Sequence, residues 1–233
     1  MQSRWLRFTR PTCSAFITLL MLANAATAGP PLICHPFDIG NAKSLPFVSH
    51  DWNLSGEENY DTRNLANDTL AILEGSQVAL VHMETLRRAT LYARKDPPAA
   101  RQLLLKVVAR TKSTENSSSP DAFALFDAAY LAETYQQWLG EKSDNPANGL
   151  DGYPWMARAV QLRGNDPQMQ FAAALTTLRG PEAAHQEYAQ KALAGAKTDD
   201  LLARNLATRF LGAESQTMSE MIQRSSATKV ARQ

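Results

Sequence analysis

The stretch Asp166-Pro167-Gln168-Met169-Gln170-Phe171-Ala172-Ala173-Ala174-Leu175-Thr176-Thr177-Leu178-Arg179-Gly180-Pro181 decides the fold class. An acidic residue suited to an N-cap precedes a proline suited to the first helical position, where its missing N–H has no partner in any case. An apolar run at helical spacing follows, and Gly180-Pro181 ends it and opens the next element. The same device recurs at Asp96-Pro97 and Ser119-Pro120. From Ser119 to Leu211 the chain therefore reads as helix after helix with sharp punctuation between.

Working outward, the apolar period holds over most of the chain. Leu65, Thr69, Ile72 and Leu73 predict a helix closed by Gly75. Val78, Val81, Leu86, Ala89 and Tyr92 predict a second, reaching Lys95. Ala100, Leu103, Leu104, Val107 and Val108 form one face of a third, and Thr111 to Ser118 reads as a polar linker. Ser119-Pro120 is expected to open the longest helix, running to Trp138. Residues Gly140 to Gly152 form a loop, and further helices span Tyr153 to Leu162, Pro167 to Leu178, Pro181 to Ala194 and Asp200 to Leu211. No alternating strand pattern is present, so the fold class is all-α, a stack of short antiparallel helical hairpins, with Leu103, Leu104, Val107, Phe126 and Leu175 in the core.

Ala157-Arg158-Ala159-Val160-Gln161-Leu162-Arg163-Gly164-Asn165-Asp166-Pro167 resembles the end of a tetratricopeptide repeat's second helix and the turn into the next. Asp166 and Thr198, two successive pair starts, are spaced close to that family's period of about 34. Gln170 and Thr177 stand where the motif carries aromatics, and Gly164 where it carries proline. The resemblance covers residues 157–194. It implies a helical-hairpin stack with a concave surface and a protein partner, hence a protein-interaction or assembly module.

The amino end has a different character. Arg4, Arg7 and Arg10 precede the apolar run Ala15 to Ala23, and small residues ending in Ala26-Thr27-Ala28 follow. That order predicts a cleavable secretory signal over residues 1–28, cut after Ala28, and an exported protein, periplasmic or secreted. The run is shorter than the roughly 20 apolar residues a membrane span needs, so no stable span is expected after cleavage. The whole chain of 233 residues has 24 bases against 23 acids, and the leader holds three of those bases. What remains is faintly acidic, without the basic stripe that nucleic acid requires.

Residues 29–60 read as an extended arm, broken by Pro30, Pro31, Pro36 and Pro46 yet rich in large apolar side chains. Ile33, Phe37 and Phe47 are expected to lie on a helical domain spanning residues 61–213, followed by a flexible tail, 214–233. Three Asn-x-Ser/Thr sites, at Asn53, Asn67 and Asn116, carry no further assignment.

Candidate chemistry is sparse. Cys34, His35, His50 and His82 are the candidate thiol or metal residues; a neighbouring imidazolium would lower a thiol's pKa, and thiol and imidazole both ligate metals. None has short ligand spacing, so such a site would have to be assembled by folding. No nucleophile elbow, phosphate loop or cofactor fingerprint occurs, and no catalytic residue and no cofactor is assigned. Trp138 and Trp155 flank the loop Gly140–Gly152 and are the candidate interaction residues, because long loops in compact domains often carry function. The leading expectation is a non-enzymatic binding module, the alternative a metal- or thiol-dependent protein centred on Cys34 and His35.

Overall fold

Two helices are buried on nearly every side, and they organise the rest. The computed structural model describes residues 32–48, 54, 56–115, 117–139, 144–164, 166–178 and 182–209. The expected leader, His50, the Gly180-Pro181 pair and the tail lie outside the described residues. Among the described residues a single 3-10 turn, Thr62–Asn64, precedes eight α-helices: α1 (Leu65–Glu74), α2 (Ala79–Ala93), α3 (Pro97–Glu115), α4 (Ala122–Leu139), α5 (Tyr153–Arg163), α6 (Pro167–Thr176), α7 (Glu182–Gly195) and α8 (Asp200–Arg209). Among the described residues there is no strand, and the protein is all-helical. No described helix is long and apolar enough to cross a membrane.

Helix α2 packs against α1, α3, α4 and α6, and α4 against α2, α3, α5 and α6. Surrounded in this way, α2 buries every residue except Arg88, and α4 buries Phe123 to Ala132 without a break. A helix apolar on one stripe only could not fill that position. The five residues expected in the core, Leu103, Leu104, Val107, Phe126 and Leu175, are all buried. Phe126 sits within an aromatic row, its ring stacked on Tyr130 at 5.8 Å and edge-on to Phe123 at 6.2 Å.

Helix starts follow their caps. Asp166 accepts from the N–H groups of Gln168 and Met169 at 3.1 and 3.2 Å, and Asp96 accepts from Ala99 N–H at 3.1 Å. The Ser119-Pro120 expectation is corrected: α4 begins at Ala122, capped by Asp121, whose carboxylate accepts from Phe123 and Ala124 N–H. A carboxylate placed directly before the first turn reaches those orphan donors, which a serine three residues out cannot. The expected linker at Thr111 is also corrected, because α3 continues to Glu115 and, at 19 residues, is longer than α4 at 18. Thr111 is buried there, its hydroxyl within hydrogen-bond reach of the carbonyls of Ala124 at 2.6 Å and Val107 at 3.2 Å. Tertiary contact extends a helix whose own residues read as polar.

The arm belongs to the core. Leu32, Phe37 and Leu45 are buried in the same apolar cluster as Leu206 of α8. Each such side chain contributes about 1.5–3 kcal/mol of burial, an upper bound because the unfolded chain is already partly collapsed. Phe37 meets Phe171 of α6 edge-on at 6.1 Å. Polar ties reach further: Asp38 N–H donates to Asn205 Oδ1 at 2.9 Å, Asn205 Nδ2 donates back to the Asp38 carbonyl at 2.8 Å, and Arg204 Nε pairs with Asp38 Oδ2 at 2.7 Å. That guanidinium and the Gly40 N–H hold the Asp38 carboxyl below its ordinary value. The arm thus ties together α2, α6 and α8, elements far apart in the sequence.

Candidate functional site

The arm is held to α2 by one acid and two bases, Glu84, Arg87 and Arg88. Helical spacing puts them on one side of α2, since residues three and four apart are neighbours. Glu84 is fully buried. Its Oε2 accepts from Arg87 Nε at 2.7 Å and from the Phe37 N–H at 2.9 Å. Oε1 accepts from Arg88 Nε at 2.7 Å and Arg87 Nη2 at 3.0 Å. Each guanidinium then reaches past the acid to the arm's backbone, Arg87 Nη1 to the Ile33 carbonyl at 3.1 Å and Arg88 Nη1 to the Leu45 carbonyl at 2.6 Å. Phe47 lays its ring against both, 5.1 Å from the Arg87 guanidinium carbon and 5.6 Å from that of Arg88. Cation–π contact of this kind is worth about 0.5–2 kcal/mol, more where water is excluded. Arg87 is 1% exposed and Arg88 20%.

Between arm and helix runs an open cleft of about 440 Å³, lined by His35, Phe37, Ile39, Phe47, Arg87 and Arg88 among others. His35 therefore stands at the site, and Cys34 beside it is half-buried. His82 does not join them. It is buried against α4, with Nδ1 at 2.6 Å from Asp127 Oδ1 and Nε2 at 3.1 Å from the Ser76 carbonyl, and Phe123 stacks on its ring at 4.3 Å. Arg110 closes the network, donating to Asp127 Oδ2 at 2.9 Å and Asp121 Oδ2 at 2.8 Å. Both ring nitrogens of His82 face acceptors within the protein, so neither is open to a substrate. Among the described residues no three of His, Cys, Asp and Glu stand together as a metal site would require.

No protein-family model, curated protein or solved structure matches this chain. What the site can do rests on its own geometry.

The two tryptophans lie elsewhere. Trp138 is half-buried under the Arg94 guanidinium, 5.1 Å from its ring, and Trp155 is half-buried against the core. The described part of the loop between them is tied down. Asn145 and Ala147 are buried, Asn145 Oδ1 accepts from Ala147 N–H at 2.9 Å, Gln136 Nε2 donates to the Leu150 carbonyl, and Gly152 N–H donates to Glu133 Oε1 at 3.3 Å. Burial raises the Glu133 carboxyl, the Gly152 N–H works against it, and Asp151 adds to the rise.

Reading the sequence missed Glu84, Arg87 and Arg88. Their spacing is that of an ordinary exposed helix pair, a bland signal. The one available clue was a Glu followed by two Arg within an otherwise apolar, fully helical stretch, opposite an arm with carbonyls to be satisfied.

Proposed function

We propose that the protein is an exported, non-enzymatic binding module whose binding face includes the arm–α2 cleft. The observation carrying this reading is the disposition of the buried ionisable groups. His82, Asp127 and Glu84 all use their hydrogen-bonding capacity inside the protein, as groups that hold a surface in shape do. The open cleft beside Glu84 keeps donors and an aromatic wall, the mixture typical of ligand sites. The finer architecture proposed is a stack of antiparallel hairpins in the manner of tetratricopeptide repeats. The contacts of α4 with α5 and of α6 with α7, and the Asp166 cap that opens α6, support it. The contact of α2 with α6 adds a closure that a stack of nearest-neighbour units lacks.

The test is a photo-crosslinking side chain at Pro36, exposed on the cleft rim, against one at Leu105, exposed on α3, which does not line the cleft. A discrete adduct from Pro36 alone is expected in the host envelope; equal adducts, or none, overturn the assignment of the face. N-terminal sequencing of the exported chain should begin at Gly29, and an intact Met1 in the mature protein defeats the export reading. The second reading, a metal- or thiol-dependent site centred on Cys34 and His35, draws support from His35 lining the cleft. Thiol titration with metal analysis of the purified chain decides it, an inert thiol and no bound metal removing it.

A further inference from the structure

The hydrogen-bond inventory of the cleft is lopsided, and the imbalance identifies an occupant. A carboxylate offers roughly four lone-pair positions, and a guanidinium five N–H donors with no acceptor. Glu84 has all its positions filled, by Phe37 N–H, Arg87 Nε, Arg87 Nη2 and Arg88 Nε. Arg87 spends three of its donors, two on Glu84 and one on Ile33, and Arg88 spends two, on Glu84 and Leu45. Both guanidiniums line the cleft, Arg88 the more open at 20% exposed against 1% for Arg87, and their residual capacity is donor capacity. The charge balance agrees: two guanidiniums face one carboxylate, while the other acid of the lining, Asp38, is paired with Arg204 at 2.7 Å. Among the described lining residues one positive charge is left over. The rest of the wall carries the apolar side chains of Pro36, Phe37, Ile39 and Phe47, with the His35 imidazole among them.

We infer that the cleft binds a monoanionic carboxylate carried on a short apolar body, a deepening that rests on the binding-module reading above. The planar guanidinium fork matches a carboxylate in paired hydrogen bonds. A single negative charge neutralises the excess, whereas a phosphate dianion would overshoot it beside the buried Glu84. The volume of about 440 Å³ suits a small ligand or the last residues of a peptide. An aliphatic acid and a peptide C-terminus share this chemistry.

The experiment is calorimetric titration of the full chain with hexanoate and with N-acetyl-Ala-Leu as its free acid, each against its neutral amide. At least one acid should saturate a single site about tenfold more tightly than its amide. Binding of hexanoate alone identifies an aliphatic acid as the source, and of the dipeptide alone a chain terminus. Arg88→Gln, which removes the charge and keeps a donor near the place of Arg88 Nε for Glu84, should weaken the acid about tenfold. Should Arg88→Gln fold poorly, Phe47→Leu keeps every charge and should weaken the acid a few-fold through the lost ring. Amides binding as well as acids, no saturation by any probe, or full affinity in both variants overturns the inference. Failure here beside a discrete Pro36 crosslink sinks only the carboxylate assignment; acid binding with no crosslinked partner sinks the protein-partner reading instead.

Discussion

Replacing Glu84 by Gln removes the one negative charge between two guanidiniums and changes almost nothing in shape. The amide oxygen can still accept, but the new NH2 group points at donors, so two of the four hydrogen bonds to Glu84 become donor-to-donor contacts. Arg87, 1% exposed, loses its counter-charge and keeps the Ile33 carbonyl and the Phe47 ring as partial replacements. Removing one member of a buried ion pair costs about 3–5 kcal/mol, and those replacements place the expectation near about 3. For a chain of this size that corresponds to a fall of about 6–12 °C in Tm. Urea unfolding followed by circular dichroism gives the loss, and hydrogen exchange at the Phe37 amide, which donates to Glu84, should quicken. The double variant Glu84→Gln/Arg87→Met should cost less than its two single variants together by more than about 1 kcal/mol, since the orphaned charge is gone. A single-variant cost under about 1 kcal/mol, or strict additivity, would refute the reasoning.

Three further outcomes are expected. Gly195→Ala should destabilise by about 1–3 kcal/mol although alanine is the better helix former, because a Cβ there would lie 2.1 Å from Pro167 Cβ; a raised urea midpoint would contradict it. Glu133→Gln should gain on the parent as pH rises: the folded-state carboxyl titrates above its ordinary 4.5, so the parent loses stability as pH climbs through that raised value, while the amide keeps the Gly152 contact without ionising. Parallel unfolding curves at acid and neutral pH measure this, and an unchanged gap between the two proteins tells against it. Asp121→Ala should cost about 1–2 kcal/mol at neutral pH through the lost α4 cap. Burial acts to raise this carboxyl, but Ala124 N–H, Arg110 and Phe123 N–H together hold it below 3.8, so its contribution is complete above that value and fades as pH falls through the lower folded-state one. The penalty should therefore shrink in acid, as acid unfolding curves of parent and variant would show.

How much was legible follows from what each residue responds to. Helix presence depends on the local period of apolar side chains, and the Asp-Pro starts carry their own mechanism, so α2, α3 and α6 were readable from neighbours in the chain. At α4 the local Ser119-Pro120 pair points to one cap, and tertiary structure uses Asp121 instead. The polar run after Thr111 reads as linker because nothing local says that its hydroxyl will find the Ala124 carbonyl. His82 shows the same limit: its partner Asp127 lies 45 residues away on another helix, so no spacing rule reaches it.

By itself the sequence determined an all-helical chain, its punctuation, and an arm too apolar to stay in water. Folding alone decided that Glu84, Arg87 and Arg88 would sit inside rather than outside, and that the cleft would be donor-rich. The physical reason is that apolar periodicity is a property of adjacent residues, whereas burial of a charge is set by whatever chain packs over it. Here that chain is the arm, whose Phe37 N–H and Ile33 and Leu45 carbonyls complete a polar cluster that α2 could not satisfy alone.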